Sequence, residues 1–154
     1  MLNPDNTPLA VAYYLNGTNF RASAERLMEG LDLDDAGSPK TLMAIPLYFL
    51  ASHAAELFLK AALLKRGFDA SALKKYDYRH NLNALLEEIQ KMKVPVTTAT
   101  AALVHGLSEQ HETHRLRYTV LVDDEKKTYW PPLVLVFAAL DELLMLTRIS
   151  THGV

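Results

Sequence analysis

From Leu47 to Leu64 the chain is apolar almost all the way round a helix, interrupted only by Ser52, His53, Glu56 and Lys60. A helix lying on a surface keeps a broad polar face, so this pattern predicts a central, largely buried helix. Punctuation residues place the other elements around it. Thr7-Pro8 is a start signal for a first helix expected to reach about Leu31, with Gly17 as a weak point inside it. Asp32 to Gly37 reads as an acidic loop. Ser38-Pro39 repeats the start signal, and Gly67, after Lys65 and Arg66, is the stop of the second helix. Pro46 is expected to bend or break that helix and leave about 47–66 as its regular part. A short helical turn is expected over Asp69 to Tyr76. A third helix from His80 or Asn81 to Lys93 follows, with Leu82, Leu85, Leu86 and Ile89 at helical spacing. Val94-Pro95-Val96 breaks it, and Thr97 or Thr98 caps a fourth helix through about Thr113. Tyr118, Val120 and Val122 alternate before the charged turn Asp123 to Lys127, so 118–129 reads as a loop or a small surface hairpin. Pro131-Pro132 opens a last helix from Leu133 to about Ile149. Five helical segments with short connections predict an all-α fold, an up-and-down bundle of four to five helices, in one domain over 1–154.

Composition narrows the function classes. The chain has 154 residues, 49% of them apolar and 22% charged, the balance of a chain that folds around a core. It has no cysteine, which excludes disulfides, thiolate metal sites and thiol nucleophiles. Lys and Arg number 16 against 18 Asp and Glu, so there is no global polycationic surface, and nucleic acid would have to be met by a local patch. Met1-Leu2-Asn3-Pro4-Asp5 lacks the basic start and apolar run of a signal peptide. No apolar stretch reaches the roughly 18–20 uncharged residues of a membrane span. A cytoplasmic protein is expected.

Two polar groups stand out. His53, Glu56 and Lys60 fall on one narrow stripe of the second helix, with Glu56 and Lys60 in the favourable order for an ion pair. The stripe is either the solvent side of that helix or a polar cluster buried against a neighbouring element. A buried Glu56 would need partners, from His53 or from the third helix, where His80 could complete the cluster. The second group is His111, His114, Arg115, Arg117 and Tyr118. Arg suits phosphate, His titrates near neutral pH, and Tyr118 offers a ring for base stacking. These five residues are expected to form a weak anion- or RNA-binding patch, or else a solvated helix end. Metal templates fit poorly. The paired Glu-x-x-His pattern of di-metal bundles is absent, and His105 would face away from His111 and His114 on a regular helix. No metal and no cofactor are expected. Serine-hydrolase elbows and phosphate-cradling glycine loops are absent too.

The run His53-Ala-Ala-Glu56-Leu-Phe-Leu-Lys60-Ala-Ala-Leu-Leu-Lys-Arg-Gly67, followed by His80-Asn-Leu82-Asn-Ala-Leu85, resembles the HEPN domain superfamily, which carries a similar "E-x-x-LKA-x-L … G … H-x-L-x-x-L" pattern. The resemblance covers about 47–90, and Arg117-Tyr118 matches an Arg-Tyr that often follows the next helix in relatives. It implies a small helical bundle, usually a homodimer. Many members are metal-independent ribonucleases, toxins of toxin–antitoxin pairs or anti-phage proteins. Others bind RNA, nucleotides or proteins without catalysis, and a minimal nucleotidyltransferase is a frequent partner. Active members carry an Arg-x4–6-His motif. Here no Arg is followed by His at that spacing, since Arg148 and His152 have three residues between them. In the expected region the order is reversed, with His111 and His114 ahead of Arg115 and Arg117. The catalytic residues of the family therefore have no counterpart. Glu56, Lys60, His80 and Leu82 carry over as pattern positions. The expectation is a non-catalytic, homodimeric binding module for RNA, a nucleotide or a partner protein such as a nucleotidyltransferase or antitoxin. The alternatives are an atypical ribonuclease using His111 or His114 with Arg115 or Arg117, and an unrelated structural or metal-binding bundle.

Overall fold

The computed structural model describes residues 6–40, 44–112 and 131–148. Among these residues five helices make up the fold: α1 (Thr7–Met28), α2 (Ala44–Lys65), α3 (Leu82–Lys91), α4 (Thr98–Glu112) and α5 (Leu133–Leu146). Two short 3-10 turns, Ala72–Lys74 and Tyr76–Tyr78, link α2 to α3. The described residues contain no strand, only an isolated bridge between Leu33 and Pro39. The chain is an all-α helical bundle. The expected hairpin at 118–129 lies outside the described residues.

α2 is the spine of the bundle, as its near-continuous apolar surface requires. It contacts α1, α3, α4 and α5. Every residue from Ala54 to Leu64 is buried. By length and hydropathy α2 would pass for a membrane span, but 83% of that window is buried inside the bundle. Pro46 does not interrupt it. It falls in the first described turn, where a missing N–H costs no intrahelical hydrogen bond. The start signal read at Ser38-Pro39 is used differently. The Asp34 carboxylate accepts from the N–H groups of Ala36 and Ser38, and Pro39 joins the bridge to Leu33. The expected stop at Gly67 is present. With φ of 85°, Gly67 lets its own N–H reach Leu64 O and the Phe68 N–H reach Leu63 O, which closes the helix in a Schellman motif. α1 stops at Met28 and α5 at Leu146, each about a turn short of the expected end.

α2 and α5 lie side by side and point the same way. At one end Tyr48 donates through its hydroxyl to Pro131 O at 2.6 Å, just ahead of α5. At the other end Lys65 Nζ and an Arg66 guanidinium nitrogen donate to Thr147 O and Leu146 O, both at 2.7 Å. Those cations satisfy carbonyls that the end of α5 leaves without intrahelical donors. α1 runs antiparallel to α2. Asn6 Nδ2 donates to Phe68 O, Gly17 packs on Phe58, and Phe20 packs on His53. Glu142 of α5 caps α4, accepting from the Thr97 N–H and from the hydroxyls of Thr97 and Thr100. A carboxylate there also meets the positive end of the helix dipole.

Gly17 is not a weak point. A Cβ on it would lie 2.8 Å from Phe58 Cε1 and 3.3 Å from Leu57 Cβ, and the Phe58 ring is fully buried. The absence of a side chain is what lets α1 approach α2 here. Gly17→Ala gains about 1 kcal/mol in helix propensity. It loses about 1–3 kcal/mol to overpacking against a ring with no room to move. Net destabilisation is expected, read as a lower urea midpoint. An unchanged or higher midpoint would show that the two helices part freely at this level.

Candidate functional site

Three separate segments converge on one carboxylate. α2 presents His53, Glu56 and Lys60 on a single stripe, as spacings of three and four residues dictate. His80 comes from the connection ahead of α3. Its φ of 60° is a left-handed conformation that costs a non-glycine residue energy. The next residue, Asn81, caps α3 by accepting from the Ala84 N–H at 3.0 Å. His111 comes from the last turn of α4. His53, Glu56, Lys60 and His80, which the sequence leaves open as a solvent stripe or one polar cluster, are brought together by the fold. It also adds His111, which sequence reasoning had assigned to the other group. The partners His111 and Glu56 stand 55 positions apart, and no local pattern marks such a pair.

Glu56 is 1% exposed, and its two oxygens are engaged from different sides. Lys60 Nζ donates to Oε1 at 2.5 Å. His111 Nε2 and His80 Nδ1 contact Oε2 at 2.8 Å and 3.1 Å. His53 Nδ1 stands 3.6 Å from the same oxygen, within ion-pair range but beyond hydrogen-bonding distance. Burial alone would raise the carboxyl pKa. The His111 bond, the neighbouring His53 and the Lys60 ammonium outweigh it and hold Glu56 well below its ordinary 4.5. Burial pushes His111 below its ordinary 6.5 against the pull of Glu56, and His80 and His53 add to that lowering. A carboxylate only accepts, so the His111 proton must sit on Nε2. His111 Nδ1 then carries a lone pair, and among the described residues it has no hydrogen-bond partner.

Aromatic rings wall the cluster. Phe20 meets His53 edge-on with centroids 4.5 Å apart, and Phe49 stacks on His53 at 6.2 Å. Tyr13 of α1 lies under the Lys60 ammonium at 6.0 Å. The way in from solvent is at His53 and His80, whose side chains are about a quarter exposed. His111, at 2% exposure, is inside.

His105 is exposed and pairs with Asn83 Oδ1, away from Glu56. His114, Arg115, Arg117 and Tyr118 lie outside the described residues. Among the described residues, one group of potential metal ligands is close enough to share an ion. His53, Glu56 and His111 each offer a ligand atom within 4.8 Å of the others.

Glu56 should be the costliest polar position in the fold. Glu56→Ala leaves the buried Lys60 ammonium uncompensated and is expected to cost about 3–5 kcal/mol in denaturant melts. Glu56→Gln keeps an acceptor and should cost less. Glu56 and His111 are both lowered in the fold, so the unfolded chain takes up protons first as pH falls. Their stabilisation is complete above the ordinary histidine value of 6.5 and drains away below it, steepening below the ordinary carboxyl value of 4.5. Urea midpoints of the parent protein that rise on acidification would contradict this. In Glu56→Gln the low-pH part of the slope should flatten.

Comparison with family models finds no match, and neither does comparison with curated proteins or with solved structures.

Proposed function

We propose that this protein is a non-catalytic, HEPN-like helical binding module that acts as a homodimer and takes single-stranded RNA on the segment leaving α4. The observation that carries this reading is the burial of His111 against Glu56. His111 is thereby committed to positioning the end of α4 and is withdrawn from solvent. The chain runs on from it into His114, Arg115, Arg117 and Tyr118, a local concentration of cationic side chains with an aromatic partner. Arg forks grip phosphate through parallel hydrogen bonds, and a tyrosine ring stacks on unpaired bases. The absent Arg-x4–6-His order and an inaccessible His111 both argue against cleavage. In this reading Glu56 anchors the platform and the downstream residues meet the ligand.

One observation favours a ribonuclease as the second reading. A carboxylate fixes the His111 tautomer and leaves Nδ1 as a base without a partner among the described residues, an arrangement suited to proton abstraction. Fluorescence anisotropy with a short labelled single-stranded RNA separates the two. Weak binding that falls steeply with salt and is lost in Arg115→Ala/Arg117→Ala is expected, with the RNA intact. Binding unchanged in the double variant removes the patch. Cleavage abolished by His111→Ala or His114→Ala puts the ribonuclease reading in its place.

The homodimer has its own support in α5. Val134 and Met145 are 72% and 53% exposed, with Ala138 on the same stripe between them, and Leu135 is half exposed beside it. Asp141 shares that stripe with its charge met by Arg21, and the apolar side chains on either side of it suit a symmetric helix-to-helix contact. Sedimentation at micromolar concentration should give about twice the 17.2 kDa chain mass. Val134→Glu/Met145→Glu should return the single-chain mass. A parent protein sedimenting as one chain would reject the dimer.

A further inference from the structure

We propose that His53, Glu56 and His111 bind one divalent transition-metal ion, zinc(II) by the chemistry of the donors, and that the ion clamps α2 to the end of α4. Glu56 Oε2 is the shared vertex, 2.8 Å from His111 Nε2 and 3.6 Å from His53 Nδ1; the ion takes the place of the proton that His111 Nε2 shares with Glu56, and that proton moves to Nδ1 so that the imidazole ligates in its neutral form. Ligands about 2.0–2.2 Å from a tetrahedral ion stand about 3.3–3.6 Å from one another. The His53 edge matches that spacing, the His111 edge is about half an ångström shorter and opens as the ion replaces the hydrogen bond, and all three ligand atoms lie within 4.8 Å of one another. Two imidazoles with one carboxylate are the protein ligands of zinc sites that keep a fourth position open. Calcium and magnesium want all-oxygen shells and are poorly served here.

The hydrogen bonding around Glu56 points the same way. His53 Nδ1 is buried and has no hydrogen-bond partner among the described residues, although a carboxylate oxygen stands 3.6 Å away. Without a proton its lone pair faces a negative oxygen. With one, it competes for an oxygen that His111 and His80 already contact. A cation between the nitrogen and the oxygen relieves both conflicts. Lys60 holds Oε1 from the far side and so keeps Oε2 aimed at the histidines, the outer-shell role that fixes a ligating carboxylate. The partly exposed edge of His53 provides an entry path.

This inference stands apart from the RNA reading, because it concerns how α4 is fixed and not what the downstream segment touches. The test uses the full chain, stripped with a chelator, and zinc chloride as the probe. Calorimetry should find one zinc per chain with a dissociation constant in the micromolar range or below. Cobalt(II) should give the intense visible bands of a four- or five-coordinate site. His53→Gln replaces a partly exposed side chain and should weaken zinc about tenfold or more. His105→Gln, outside the cluster, should leave it unchanged. X-ray absorption of the zinc-loaded parent protein needs no variant and should show imidazole and carboxylate scattering. No binding at micromolar zinc, undiminished binding in a folded His53→Gln protein, or a shell without imidazole would each overturn the assignment.

Discussion

A carboxylate taken out of water has to be matched by donors, and most of this structure is arranged around meeting that demand at Glu56. The group sits in the middle of α2, the helix every other helix packs against. Each donor comes at a structural cost. Lys60 gives up most of its hydration. His80 adopts a left-handed backbone conformation. His111 is pushed toward its neutral form. Those costs are tolerable only together, because removing one partner leaves a buried charge uncompensated. The cluster therefore fixes where the α2–α3 connection and the end of α4 must lie, in a way that apolar packing, which is non-directional, does not.

α4 shows the consequence. Carboxylates from two other helices hold it at opposite ends, Glu142 at its first turn and Glu56, through His111, at its last. A helix of 15 residues is marginal alone. Held this way, it is fixed at both ends against the rest of the bundle. That makes the polar core and the basic segment after it parts of one functional unit in the proposed reading. It also places His111, which the sequence groups with the residues after it, as a buried partner of Glu56.

The apolar framework answers a different constraint. α2 has no polar face to spare, so it must be covered on all sides, and among the described residues four helices pack around it. α1 can approach closely only because Gly17 has no side chain. α5 lies parallel to α2, which brings Lys65 and Arg66 to the carbonyl end of α5 and lets two cations close a helix that has no basic residue of its own in its last turn.

The sequence by itself determined the helices, the central role of α2, the stop at Gly67 and the stripe of His53, Glu56 and Lys60. Each of these follows from local rules: the 3.6-residue period, glycine's access to positive φ, and side chains three and four apart sharing a face. Local rules also misplaced what depends on context. Pro46 looked like a breaker because its position within a helix decides its effect, and the helix start lies outside the Pro46 sequence itself. Gly17 looked like a defect because propensity cannot see the Phe58 ring. Whether the Glu56 stripe faced water or protein was undecidable from one helix, since a polar stripe reads the same either way. Only the tertiary structure decided that it is buried, and only it brought His111 to Glu56. The helical period relates residues within one element and carries no information about which distant element arrives to complete a charge.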